Sequence, residues 1–462
     1  MIFTEARFFA FFALAFGVHW ALRSNASRKA WLLACSYAFY AAWDWRFLSL
    51  ILFSTVVDFA AGARLAATDE PRVRRRWLGV SLACNLGLLG AFKYYNFFAD
   101  SAARLLEGAG LGAHDPTLNI VLPVGISFYT FQTLSYTIDI YYGRLQPARR
   151  FLDLALFVAF FPQLVAGPIV RASQFLPQLA ETRRFLALDL RPFVALFLVG
   201  FFKKACVADN LAAVVDPVFA APAAWSSGSV WLALALYTIQ FYCDFSGYTD
   251  MALATAGLLG YRLTLNFDFP YLATSMTEFW RRWHMSLSSW FRDYLYIPLG
   301  GNQGGALRTA RNLSLVFLLC GLWHGANWTF VVFGLYHGAL LSLERVVFRD
   351  RRARGRNGMQ LYVVLAWAGS LVFFRSPSVP AALAYFQELV GLGEGGGAAL
   401  GRDWWLAVPV ALALHLLARA RVVERFASAA PRPIFAAACG AAFGALLSFV
   451  ATDYQPFIYF QF

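Results

Sequence analysis

Leu319-Cys320-Gly321-Leu322-Trp323-His324-Gly325-Ala326-Asn327-Trp328 places a histidine between two glycines inside an otherwise apolar run. A histidine at membrane depth is costly to bury and marks a position with a task or a specific partner. Gly321 and Gly325 weaken a helix on either side, so the ring is expected at a helix break lining a cavity. Arg311 and Arg345 bracket the run, and Arg349, Arg351, Arg352, Arg354 and Arg356 follow. Both ends are therefore expected at the cytoplasmic face. From Arg311 to Arg345 the chain reaches roughly 51 Å as helix, at about 1.5 Å per residue. Two crossings of a hydrocarbon core about 30 Å thick need roughly 60 Å. The arithmetic predicts a hairpin over 311–345 that turns within the membrane, with His324 toward the outer half.

Composition agrees with that setting. Of the 462 residues, 60% are hydrophobic and only 14% charged, with 46 Phe, 20 Tyr and 15 Trp. So few charges exclude an ordinary soluble globule and point to an all-α polytopic membrane protein. The net charge of +13 is not a nucleic-acid footprint, because the arginines cluster between apolar runs, as in cytoplasmic loops beside anionic lipid. Cys35, Cys84, Cys206, Cys243, Cys320 and Cys439 lie mostly within apolar segments without metal-like spacing. They read as small buried hydrophobes, with no metal site and no bound cofactor expected. The first apolar run, Phe8 to Leu22, has the length of a signal-peptide core. Glu5 beside Arg7 and the many later apolar runs favour a retained first helix.

Outward from the histidine, apolar runs and basic loops alternate. Arg23, Arg28 and Lys29 form one basic loop, and Arg64, Arg72, Arg74, Arg75 and Arg76 the next. Between them two short runs hinge at Trp43-Asp44-Trp45-Arg46. Residues 119–142 return to Arg144, Arg149 and Arg150. Phe151 to Val170 holds Pro162, Gly167 and Pro168 and has basic residues on both sides. It reads as a re-entrant hairpin and not a full span. Residues 192–210 run outward, although Lys203 and Lys204 fit a span poorly; they snorkel, or the helix lies along the interface. Further crossings are expected over 229–258, 311–323, 327–344, 359–374, 404–418 and 433–452. External loops are expected at 100–117, 211–229 and 391–401. The count comes to about 10–13 transmembrane helices in a single domain over 1–462, with no soluble domain and no tandem repeat.

A second stretch, Ser275 to Asn302, reads SMTEFWRRWHMSLSSWFRDYLYIPLGGN. Ser275 and Glu278 have capping-box spacing, so a helix begins here. Phe279, Trp283, Leu287, Trp290 and Tyr294 follow at steps of four, four, three and four, making one aromatic face. Arg281, His284, Ser288 and Arg292 form a separate stripe. The pattern predicts a cytoplasmic interfacial helix over about 275–300, with aromatics toward the membrane and cations toward water. Two uses remain open from the pattern: a surface anchor, or an approach for a phosphate-bearing acyl donor contacted by Arg281 and Arg292, with His284 at its inner end.

These two segments, Phe279-Trp280-Arg281-Arg282-Trp283-His284 to Ile297-Pro298-Leu299-Gly300-Gly301-Asn302 and Gly321 to Trp328, resemble the membrane-bound O-acyltransferase family, in particular its bacterial alginate O-acetylase branch. Leu122 to Phe128, Phe161 to Ile169, Tyr242 to Tyr248 and Phe457 to Phe462 agree. The resemblance spans nearly the whole chain. It implies a multi-helix bundle with re-entrant and interfacial helices, a cytoplasmic donor entrance, an external acceptor funnel and a thin septum holding the family's histidine. The match puts that histidine at His324 and a supporting one at His284. The arginine-rich run 349–356 and the glycine-rich loop near 395 match no feature of the family.

Acetyl transfer to a hydroxyl needs a base and a site that excludes water. A neutral imidazole suits both, so His324 is the candidate base, contributing about 10² to 10⁴-fold. No covalent enzyme intermediate is required, and no cysteine or serine shows a catalytic neighbourhood in the sequence. Without the resemblance, the pattern favours His324 as a histidine satisfying a buried hydrogen bond, and the resemblance reverses that. His337 reads as packed against a neighbour, His415 as structural or a second polar contact, and Asp244 and Asp250 as structural hydrogen bonders. His19 and His114 carry no signal. The resemblance implies acetyl-CoA as donor, periplasmic acetyl-handling partner proteins, an exported polysaccharide as indirect acceptor, and the bacterial inner membrane as location. External loops too short to form a polysaccharide cleft fit a relay through such a partner. A transporter or flippase using His and Asp as a proton relay, and an inactive scaffold of a secretion complex, are the alternatives of other classes; the absence of inverted repeats counts against the first.

Overall fold

A computed structural model describes residues 1–111, 117–347, 356–393, 395–451 and 457. His114, the arginine-rich run from 349 to 355 and residues 458–462 lie outside the described residues. Among the described residues the secondary structure is helical, with one isolated bridge between Trp225 and Ala398 and no strand. The all-helical membrane architecture expected from composition is the one found. The chain falls into two compact units, residues 1–190 with 252–264, and residues 191–251 with 265–462.

In the first unit, α1 (Ala6–Ala21), α2 (Asn25–Asp44), α3 (Leu48–Ala66), α4 (Pro71–Leu89), α5 (Tyr95–Gly108) and α6 (Ile126–Tyr141) precede the short α7 (Phe151–Ala159), α8 (Phe161–Leu164) and α9 (Ala172–Ala180). The break between α2 and α3 falls at the expected Asp44, whose carboxylate accepts from the Arg46 backbone and pairs with its guanidinium at 2.6 Å. The proline-bearing stretch 151–170 forms helices of nine and four residues, buried from Leu154 onward. At about 1.5 Å per residue neither can cross a 30 Å core. Gln163 ties the two together by donating to the Phe157 carbonyl at 2.6 Å. Where α3, α4 and α6 meet, Asp58 is fully buried and satisfied by neutral donors, the Ser81 hydroxyl at 2.6 Å and the Asn85 amide at 3.0 and 3.1 Å.

The second unit begins with α10 (Arg191–Phe201), a π-helical turn over Phe202–Ala208 and α11 (Asp209–Ala220), followed by α12 (Ser227–Leu258). α10 and α12 touch at glycines: a Cβ on Gly200 would stand 2.6 Å from the Gly247 carbonyl oxygen. That approach brings Lys203 to Asp250 at 2.6 Å and Lys204 to Asp244 and Asp209 at 2.5 and 2.7 Å. Lys204 is buried between two carboxylates and Lys203 is half-buried against one, the arrangement that makes a lysine inside an apolar helix tolerable.

α13 (Met276–Arg282), α14 (Met285–Phe291), α15 (Ala306–His324), α16 (Trp328–Val347), α17 (Arg356–Arg375), α18 (Val379–Leu389), α19 (Ala407–Arg419), α20 (Val422–Ala429) and α21 (Arg432–Leu447) complete the unit. The glycine-rich loop after α18 is pinned to the start of α12: Ser226 donates its backbone N–H to the Ala398 carbonyl at 2.9 Å, and Gly395 to the Glu388 carboxylate at 3.3 Å. On length and composition alone, Asn25–Ala66 and Gly358–Arg375 can cross a membrane, and a third candidate is the pair Arg402–Arg419 and Val422–Ala429, bent by 44°. Other apolar helices, such as α1 and α21, are shorter, and α10 runs into a π turn. Length alone thus recognises fewer crossings than the ten to thirteen read from apolar runs.

Candidate functional site

α15 ends at His324, and α16 starts at Trp328, so the histidine stands at the closed end of a helical hairpin, as its flanking residues suggested. The glycines, however, do a different task from the one expected. Gly321 lies inside α15, where a Cβ would meet the Phe330 carbonyl oxygen at 2.1 Å, and a Cβ on Gly334 would meet that of Phe317 at 2.2 Å. Gly325 and Gly338 are crowded in the same way by the Phe330 ring and the Ser314 backbone. These residues let two helix backbones approach without intervening side chains, the small-residue contact that replaces the hydrophobic effect between membrane helices. α15 begins five residues before Arg311, so each arm is about 30 Å long at 1.5 Å per residue.

The segment 275–300 is not one helix. α13 starts as its sequence predicts, with the Ser275 hydroxyl accepting from the Glu278 N–H at 3.0 Å. Glu278 turns back to Thr274, accepting from its N–H at 2.8 Å and its hydroxyl at 2.9 Å, and pairs with Arg282 at 2.8 Å. Burial pushes its carboxyl up, but these bonds outweigh burial and hold it below the usual glutamate range. Glu344 on α16, itself buried, caps the same turn by accepting from the Met276 N–H at 2.5 Å and the Thr277 N–H at 3.3 Å. Then the helix breaks. His284 takes a left-handed conformation (φ 43°, ψ 53°), unusual for a residue with a side chain, and α14 starts after it.

Asn266 holds this break. Its carbonyl accepts from the Met285 N–H at 2.9 Å, and its side-chain oxygen from the Ser286 hydroxyl and N–H at 2.8 and 3.2 Å. The break turns His284 away from the expected cationic stripe into a fully buried position, while Arg281 and Arg292 stay exposed. Arg292 pairs with Asp293 at 2.7 Å. Phe279, Trp283 and Leu287 pack into the protein instead of facing lipid.

The two histidines meet the same tryptophan. The Trp323 ring lies 5.7 Å from that of His284 and 5.1 Å from that of His324, both edge to face. His324, 5% exposed, also touches Phe333 and Phe374, and Cys320 Sγ stands 3.9 Å from its Nε2. Cys320 is buried beside the histidine, one turn before it on α15. Phe245 on α12 presses on His284 at 4.8 Å, and Phe457 packs on Phe245. α17 supplies what sequence reading missed. Trp367 contacts Phe241, Phe279, Trp280, Trp283, Phe333 and His337, and two turns later Phe374 contacts His324, Phe330 and Phe333. Their spacing of seven was the available signal, but it is shared by any apolar helix face.

His337 sits in this belt, His415 packs on Tyr242, Phe269 and Tyr271, and His19 lies in the first unit beside Trp20 and Tyr261. Among the described residues, no group of three or more His, Cys, Asp or Glu could hold a metal ion.

The profile of the membrane-bound O-acyltransferase family matches residues 149–378, which contain every ring of the belt around His324 from Phe241 to Phe374. A probable alginate O-acetylase of Azotobacter vinelandii is 40% identical, covering 85% of this chain and 79% of its own. The chain belongs to the membrane-bound O-acyltransferase family. A probable alginate O-acetylase of Pseudomonas putida is 37% identical over the full length of both chains. A peptidoglycan O-acetyltransferase of Helicobacter pylori is 36% identical over 83% of this chain and 78% of its own. As a membrane-bound O-acyltransferase, the protein is a membrane enzyme that transfers acyl groups to oxygen.

Proposed function

We propose that this enzyme passes acetyl groups from a cytoplasmic donor, acetyl-CoA, across the bacterial inner membrane for O-acetylation of an exported polysaccharide, alginate first among them. The observation that carries the reading is the pairing of His284 and His324 on Trp323, both buried, His324 at the closed end of the hairpin and His284 at the break between α13 and α14. His324 accepts the proton of an attacking hydroxyl as its oxygen bonds the acyl carbon and the carbon–sulfur bond of the thioester breaks. The proton then passes to the departing sulfur. The aromatic wall of Trp323, Phe333 and Phe374 keeps competing water out. His284 supports this from the donor side, and Arg281 and Arg292 contact donor charge at the exposed entrance. The whole chain acts as one membrane domain. A hydroxyl on a periplasmic partner takes the acetyl group and hands it to the polymer, because a long glycan is too bulky to reach His324.

Labelled-acetyl transfer in membranes tests this. His324→Ala and His324→Gln are expected to abolish transfer with the protein at normal abundance; wild-type acetylation in either variant overturns the assignment. Purified enzyme given donor and polymer alone is expected to acetylate poorly and to recover with its partner. The identity to the Helicobacter pylori relative supports peptidoglycan as the second acceptor; acetate released from polymer and from cell wall of a deletion strain separates the two.

A further inference from the structure

His337 lies in the middle of α16, fully buried, and both of its ring nitrogens lack a hydrogen-bond partner among the described residues. The adjacent Trp280 ring stands perpendicular to it at 5.0 Å, and its Nε1 is also buried without a partner among them. A neutral imidazole offers one donor and one acceptor, and an indole offers a donor. Three such atoms side by side are costly to leave without bonds, and buried polar groups are satisfied in nearly all native proteins. Phe333 touches both His337, at 4.7 Å, and His324, at 5.9 Å. His337 stands about 14 Å along α16 from Trp328, at 1.5 Å per residue, toward the arginine-bearing end of the hairpin. It thus lies on the donor side of His324, beside the tryptophan of the Trp280–His284 segment.

We propose that His337, with Trp280, binds the arm of the acyl donor: its imidazole N–H donates to the carbonyl oxygen of an amide of a linear thioester while the acyl carbon reaches His324. The two ring nitrogens diverge, so one amide engages only one of them, its carbonyl oxygen accepting from the imidazole N–H. This rests on the donor reading above.

The test measures transfer from radiolabelled acetyl-CoA in membranes. His337→Phe keeps a ring between Trp280 and Phe333 and removes both nitrogens. It is expected to raise the donor KM about tenfold, the loss of one hydrogen bond, with kcat within about twofold. Unchanged KM in His337→Phe overturns the proposal and leaves the ring a packing element. If that variant is depleted from membranes, His337→Asn and His337→Ala decide. A KM closer to wild type in Asn supports the proposal, and equal KM overturns it. A wild-type enzyme that takes nothing from acetyl-CoA refutes the donor reading itself, a result distinct from failure at His337.

Discussion

Where α10 meets α12, Lys204 is buried against Asp209 and Asp244 and Lys203 pairs with Asp250; where α15 ends, His324 is buried against aromatic rings. The first cluster joins lysines to carboxylates, and a charge buried there must keep its counter-charge or be expelled. The second uses groups that are stable in apolar surroundings when neutral, and proton transfer is a capacity only the neutral imidazole has near pH 7. On the function proposed above, charge pairing belongs to the scaffold and the aromatic-walled His324 to the chemistry.

This contrast breaks most sharply at Lys204. Lys204→Met leaves Asp209 and Asp244 facing an apolar side chain, a cost of about 3–5 kcal/mol, so the protein is expected to disappear from membranes. Quantitative immunoblotting set beside His324→Ala, which is expected to keep abundance and lose activity, checks it. Normal abundance in Lys204→Met removes the distinction. Next comes the hairpin. Gly334→Ala drives a Cβ against the Phe317 carbonyl, costing about 1–3 kcal/mol in overpacking. Activity is expected to fall further than abundance, because separating α15 from α16 shifts His324; equal falls show a purely structural glycine.

Smaller again, Arg281→Ala and Arg292→Ala should raise the donor KM by a few-fold at unchanged kcat, since exposed cations bind ground and transition states alike. An unchanged KM makes them a surface anchor. The smallest effect belongs to Glu278. Its folded-state pKa is depressed, so its contribution is present above the ordinary glutamate value and is lost as pH falls through the lowered one. Glu278→Gln should match wild type in thermal stability at low pH and fall slightly behind it at neutral pH. A constant gap across pH excludes the carboxylate as its source.

The sequence made both histidines visible because residue type alone singles out an imidazole in an apolar run. It also located the helix start at Ser275, where capping chemistry is local. The break at His284 was hidden, because the aromatic period runs on through Trp283, Leu287 and Trp290, and the force that interrupts it is Asn266, distant in the chain. Lys203 and Asp250 are likewise a pair that only the glycine contact of α10 with α12 creates. Trp367 and Phe374 had no charge or odd spacing to distinguish them from lipid-facing residues.

Trp280, Trp283, Trp323 and Trp367 make the site its own optical reporter. Trp283 and Trp367 lie 4.6 Å apart and Trp280 and Trp367 5.9 Å apart, close enough for their excited states to couple. Near-ultraviolet circular dichroism of the purified enzyme should carry a band from these rings that fades in Trp367→Phe. The band should respond to any ligand that moves α17 relative to α13, so assembly of the site can be followed without a turnover assay or an attached dye.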